Sequence, residues 1–246
     1  MYFPGAGKSY DAEDTSDLIF DENANVAFTK RFKYLGSLFA SNLRSEADVE
    51  KRLKAASAAF GALRKCVFRS RDISPRVKGK VYRGLILSIL LYGSECWTLT
   101  VAYRTLLESF HNRCVRTMCM VNRWKVWKEH IHTESLDKRL GLKSMNHYIN
   151  VRCLRWVGHL WRMGEERLPR KLAFSKIRNP RRRGGQALTY GRRVMGEVRR
   201  AVKEADVSVS RRFRLKPEGG SGRNGMSWME YAEDREAWRE FIHSVP

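Results

Sequence analysis

Residues 45–67, SEADVEKRLKAASAAFGALRKCV, decide the fold class. Val49, Leu53, Ala56, Phe60, Leu63 and Val67 are spaced by alternating fours and threes, which puts all six on one helical face. Ser45 followed by Asp48 has the form of a capping box, with Asp in place of Glu, and sets the expected start. The same period continues downstream. Ser74-Pro75 offers a cap followed by proline at the first helical position, opening a helix through Val77, Val81, Leu85, Ile89 and Leu90. After Thr100, residues Tyr103, Leu107, Phe110, Cys114 and Met118 form a third inner face. Further helices are expected at Leu136–Leu140, Met145–Met163, Tyr190–Ala205 and Ser227–His243. The fold class is therefore mainly α.

Upstream the period is different. Asp17–Asp21, Asn25–Phe28 and Phe32–Leu38 read as short strands separated by Asn, Asp and Gly. That is too little sheet to stand alone, because isolated hairpins are marginal in water. The expected units are a β remnant over 1–42, a helical bundle over 43–122, a helical extension over 123–175 and a basic region over 176–246. The last contains a Gly-rich flexible linker, 216–225, and a weaker Arg/Gly-rich break from Asn179 to Gln186.

Composition narrows the function. The chain has 246 residues and a hydrophobic fraction of 43%, enough for a true core. It carries 48 basic against 26 acidic residues, a formal charge of +22, which calls for a polyanion partner. Residues 1–50 hold nine acidic and five basic side chains, a net of −4, whereas 176–216 hold fourteen basic and three acidic, a net of +11. The polyanion should meet the later part. No segment approaches the roughly 20 apolar residues that span a bilayer, and no apolar signal region follows Met1. Five cysteines within helical patterns fit reduced thiols, so an intracellular protein is expected.

Two basic features stand out. Arg152, Arg155, His159 and Arg162 recur at helical spacing beside a stripe of Trp156, Leu160 and Met163. Such a stripe suits phosphate contact and base stacking; it equally describes an amphipathic helix with a solvated basic face, and the net charge favours the first. The runs Arg181-Arg182-Arg183, Arg192-Arg193, Arg199-Arg200 and Arg211-Arg212-x-Arg214 use the residue that pairs bidentately with phosphate. They also fit a nuclear-import signal, which makes the nucleus the expected location and the cytoplasm the alternative. Trp228, Tyr231, Trp238 and Phe241 share a helix side that should dock on the body.

Several catalytic and metal patterns fail. Gly5-Ala6-Gly7-Lys8-Ser9 lacks the earlier glycine of a phosphate loop, position 2 being Tyr2. Gly93-Ser94 follows a helix and lacks the second glycine of a nucleophile elbow. His111, Cys114, Cys119, His130 and His132 offer only one close cysteine pair, at x4 spacing and inside a helical pattern, so burial as small hydrophobes outweighs zinc.

Four blocks carry a resemblance. Phe32-Lys33-Tyr34-Leu35-Gly36-Ser37, Leu90-Leu91-Tyr92-Gly93-Ser94-Glu95-Cys96-Trp97, Leu154 to Met163 (LRWVGHLWRM) and Asp234-Arg235-Glu236-Ala237-Trp238-Arg239, in this order, resemble the carboxy-terminal end of a LINE-type (non-LTR) retrotransposon reverse transcriptase. The resemblance implies that Phe32, Lys33, Tyr34, Leu35 and Gly36 form a primer-gripping hairpin, followed by the thumb and a helical extension. Without it, the same residues read as an ordinary edge strand with a turn at Gly36. It further implies partners in template RNA and DNA primer, and missing fingers, palm and endonuclease domains, so that the chain is a fragment. One departure matters: the family's adjacent Asp-Asp pair is absent, and Glu13-Asp14 and Asp21-Glu22 lie beyond where it should fall. Nucleotidyl transfer needs such carboxylates to hold two divalent ions. The expectation is therefore a non-catalytic nucleic-acid-binding chain without a cofactor, Mg2+ belonging to the intact enzyme. The alternative is a basic helical scaffold for proteins.

Overall fold

The computed structural model describes residues 18–21, 24–26, 29–41, 44–174, 190–204 and 228–245. It is mainly helical, and among the described residues the strands fall at the start of the chain. Two two-stranded antiparallel sheets come first. β1 (Leu18–Asp21) pairs with β2 (Ala24–Val26), and β3 (Arg31–Tyr34) pairs with β4 (Ser37–Ala40). The expected single strand Phe32–Leu38 is thus folded in two. Leu35 and Gly36 make the turn with φ of 46° and 86°, the double positive φ of a two-residue hairpin turn, which suits glycine and strains leucine.

Helix α1 (Glu46–Leu63) runs on through a π turn, Arg64–Phe68. Val49, Ala56 and Phe60 are buried, and Leu53, Leu63 and Val67 pack at the edge of the same core, as their spacing requires. The expected capping box does not form. Ser45 makes no side-chain cap; its hydroxyl accepts from Thr98 N at 3.1 Å. Asp48 turns outward from the helix end to two other donors, Leu38 N and the Trp97 indole, each at 2.9 Å.

α2 (Pro75–Val81) starts at the Ser74 cap and continues through a π turn, Tyr82–Ile86, into α3 (Leu87–Leu90). Its inner face differs from the expected one. Tyr82, Ile86, Leu87, Leu90 and Leu91 are buried, while Val77 and Leu85 face solvent. The π turn holds an extra residue per turn and rotates the register. Apolar residues on most sides left the sequence ambiguous here. α4 (Val101–Met118) buries Leu107, Phe110, Cys114 and Met118 behind its Thr100 cap. Short helices α5 (Arg123–Lys128) and α6 (Thr133–Leu140) follow.

α7 (Met145–Trp161) joins two cores. Met145 and Ile149 complete the first, built from α1 to α4 and α6. Cys153, Leu154 and Val157 begin the second. That second core takes in α9 (Tyr190–Glu204), α10 (Trp228–Glu233) and α11 (Arg235–Ser244), while α8 (Leu168–Phe174) packs at its edge. Trp228, Tyr231, Trp238 and Phe241 dock inward, as expected. The expected single terminal helix is broken at Asp234, which caps α11 through Glu236 N and Ala237 N. The linker 216–225, the break Asn179–Gln186 and the segment Gly5–Ser9 lie outside the described residues.

Candidate nucleic-acid interface

The polar side of α7 positions the first components. Its apolar side is buried, so the spacing of three, seven and ten residues from Arg152 sets Arg155, His159 and Arg162 in one outward row. Ser144 fixes the start of the helix, its hydroxyl accepting from His147 N at 3.2 Å. Against this row lies α11. Gly158 is what allows the approach, because a Cβ there would overlap the Trp238 indole nitrogen. That indole instead donates to the Leu154 carbonyl at 2.9 Å, closing a fully buried contact.

The close packing carries Arg235 and Arg239, one helical turn apart, alongside the α7 row. Arg155, His159, Arg162, Arg235, Trp238 and Arg239 then line a groove of about 640 Å³, with no carboxylate among the described lining residues. A neighbouring hollow of about 400 Å³ adds Arg83, Lys143, His147, Arg152 and His243, again with no acid among the described lining residues. A third, of about 370 Å³, is lined by Glu95, Arg152, Arg155, Trp156 and His159. Arg155 borders all three, so the hollows adjoin one another along α7.

The cations within it are not equivalent. Arg152 is half-buried and donates Nη1 to the Leu91 carbonyl at 3.0 Å. Burial pushes its pKa below the ordinary arginine value, Glu95 opposes the shift and Arg155 adds to it. Arg162 donates Nη1 to the Ala232 carbonyl at 2.6 Å, joining α7 to α10. Burial lowers its pKa too, then the charge of Arg235, with Asp234 opposing. Both remain charged at neutral pH, since guanidinium does not lose its proton in proteins. Arg152 and Arg162 therefore each clamp a carbonyl of another element, while Arg155, Arg235 and Arg239 present exposed guanidinium groups and His159 an exposed imidazole.

The hairpin is a separate surface. Phe32 and Tyr34 are exposed on one side of β3, their ring centroids 6.5 Å apart and stacked, with Lys33 and Leu35 exposed beside them. The turn is pinned from behind. The Gly36 carbonyl accepts from Lys51 Nζ at 2.7 Å and Arg52 Nη2 at 2.6 Å, and the Leu35 carbonyl accepts from the Tyr92 hydroxyl at 2.9 Å. Leu91 and Tyr92 thus tie the cleft and the hairpin to adjacent points of one segment.

Of the residues singled out from sequence, the structure brings Arg152, Arg155, His159 and Arg162 together, and it groups Phe32, Lys33, Tyr34, Leu35 and Gly36 on the hairpin. Arg181, Arg182, Arg183, Arg211 and Arg212 lie outside the described residues. Arg192 and Arg193 belong to α9, but their side chains also lie outside them. Sequence reading missed Arg83, Lys143, Arg235 and Arg239. The i, i+4 spacing of Arg235 and Arg239 was a usable signal; Arg83 and Lys143 join only through tertiary packing.

Cys114 and Cys119 are buried in the first core, and His111 hydrogen-bonds to Tyr82 Oη at 3.1 Å and Asp137 Oδ1 at 3.3 Å. Among the described residues, no group of three or more His, Cys, Asp or Glu side chains is placed to hold a metal ion. The side chains of Glu13, Asp14, Asp21 and Glu22 lie outside those residues. No described helix is long and apolar enough to cross a membrane.

A mainly helical body with a strand-bearing start and an acid-poor cationic cleft is the class that the geometry defines. The curated relatives agree with an origin in mobile elements. The chain is 24% identical over 134 residues to an uncharacterised transposon-derived protein of Caenorhabditis elegans, covering 54% of this chain and 47% of that protein. It is 23% identical over 146 residues to the retrovirus-related Pol polyprotein from type-1 retrotransposable element R1 of Nasonia vitripennis, covering 58% and 41%. The chain spans less than half the length of these two relatives. No protein-family model and no solved structure matches it. The chain is of retroelement origin.

Proposed function

We propose that this chain is the thumb and helical extension of a LINE-type retrotransposon reverse transcriptase, which grips template–primer nucleic acid through basic helices. The observation that carries the reading is the cleft between α7 and α11, where Arg155, Arg162, Arg235 and Arg239 converge with no carboxylate among the described residues that line the groove. Arginine forks match phosphate oxygens, and such contacts hold a nucleic acid in register without reading its bases. The exposed Phe32–Tyr34 pair and Lys33 support a role for the hairpin at the primer end.

The chain itself does not catalyse nucleotide addition. Its sequence contains no adjacent Asp-Asp pair to hold the two metal ions that phosphoryl transfer requires. Mg2+, fingers, palm and endonuclease belong to the longer enzyme, and the nucleus is where it meets its DNA primer. Purified chain given a primed RNA template, deoxynucleotides and Mg2+ yields no extension; activity that survives stringent repurification contradicts this.

The test of binding is fluorescence anisotropy with labelled DNA duplex and RNA–DNA hybrid across a salt series. About six neutralised phosphates give a log–log slope near −5 on duplex DNA. A salt-independent affinity, or none, argues for the protein-scaffold reading, to which the exposed Phe32, Tyr34, Leu35 and Phe39 lend some support.

A further inference from the structure

Helix α5 places two tryptophans in solvent. Its six residues, RWKVWK, contain no residue that is buried. Trp124 is 62% exposed and Trp127 74%. At i, i+3 the two side chains are neighbours on one face. The helix is held away from the body at both feet. Val121 and Ile131 pack against the first core on either side of it, and Met120 and His130 turn the chain there with φ of 55° and 48°. The Asn122 side chain caps it, accepting from Lys125 N at 2.7 Å.

Arg123, Lys125 and Lys128 alternate with the tryptophans along the helix, and the Lys128 ammonium sits 4.8 Å from the Trp124 centroid. Glu129 pairs with Lys125 at 3.8 Å. Three cations interleaved with two open indoles match a ligand that alternates flat π faces with negative charge. We propose that Trp124 and Trp127 form a stacking platform for single-stranded nucleic acid, with Arg123, Lys125 and Lys128 receiving its phosphates.

The ligand class follows from the geometry. Bases in a duplex are stacked on one another and offer no face to an indole, whereas unpaired bases do. A bilayer surface fits less well. The helix is roughly 9 Å long at 1.5 Å per residue, and its outer apolar face ends with the two rings, too little for an interfacial helix. The platform uses no residue of the α7–α11 cleft, so it stands or falls separately from the proposed duplex grip.

The experiment compares the full chain with W124A/W127A and W124F/W127F, by anisotropy on a labelled oligothymidylate and on a blunt DNA duplex. Circular dichroism confirms the fold, which is expected to persist because neither ring is in a core. The alanine pair should weaken oligothymidylate binding by about tenfold or more and leave duplex binding unchanged; the phenylalanine pair should retain most of it. No oligothymidylate binding by the unaltered chain, or equal affinity after W124A/W127A, overturns the platform. Tryptophan-dependent binding to phosphatidylserine vesicles without any effect on oligothymidylate overturns it in favour of a membrane contact. Failure of duplex binding alone counts against the cleft and not against the platform.

Discussion

The Trp97 indole donates to Asp48 Oδ2 at 2.9 Å, across 49 residues of chain and inside the first core. The other carboxylate oxygen accepts from Leu38 N, so one buried acid ties α1 to β4 and to the segment after α3. Asp48→Ala leaves two donors without partners, each costing about 1–3 kcal/mol when buried. Chemical denaturation should show a loss of about 2–4 kcal/mol. Leu38 lies in the hairpin, so its amide exchange should accelerate in the same variant. An unchanged midpoint would remove Asp48 from this linking role.

Gly158 marks where α11 meets α7. In Gly158→Ala the new Cβ overlaps the Trp238 indole nitrogen, and the indole is fully buried and cannot swing aside. Overpacking of this kind costs about 1–3 kcal/mol. The near-ultraviolet circular dichroism of the buried tryptophans should change along with a lower Tm. A variant with wild-type Tm and spectrum would mean that α11 does not pack here.

Burial pushes the Cys114 thiol up to about 12, with Arg113 and the Tyr82 hydroxyl opposing weakly. Burial also raises Tyr82 well above its ordinary value. Both groups are neutral when folded. Because their folded pKa values are raised, the stability they contribute is complete below about 9 for Cys114 and is lost as pH climbs towards 12. Equilibrium unfolding should show stability falling across that alkaline range. At pH 8, iodoacetamide should modify exposed Cys66 and Cys96 and spare Cys114 until the chain unfolds. Rapid labelling of Cys114 in the folded protein would contradict its burial.

Much of this architecture is legible in residue spacing. The inner faces of α1 and α4 follow from a regular 3.6-residue period with caps at clear positions. The α2 face was misjudged because its apolar residues surround the helix and a π turn shifts the register, which periodicity does not register. Ser45 and Asp48 looked like a capping pair because local spacing ignores competitors; Thr98, Leu38 and Trp97 arrive from distant segments and claim both side chains. The strand read over Phe32–Leu38 ran through the turn that Gly36 signals, because Leu35, which shares the turn at positive φ, is not a residue that marks one. For the cleft, the α7 row was visible as a stripe, but its completion by Arg235 and Arg239 depends on a glycine opposite a tryptophan 80 residues later. The roles of Arg152 and Arg162 as clamps are equally tertiary, since their carbonyl partners, Leu91 and Ala232, belong to other elements.

The central claim is that the α7–α11 cleft holds nucleic-acid phosphates. Its direct test is the salt dependence of duplex affinity in the unaltered chain and in R155Q/R235Q/R239Q. These three side chains are exposed, so the substitutions remove charge while keeping length and leave both cores intact. If each contacts a phosphate, the log–log slope should flatten by about 3, with weakening of similar size on unrelated sequences. The clamp-sparing triple variant should keep the wild-type Tm. A slope and affinity indistinguishable from the unaltered chain would place the polyanion elsewhere on the protein and contradict the cleft as its site.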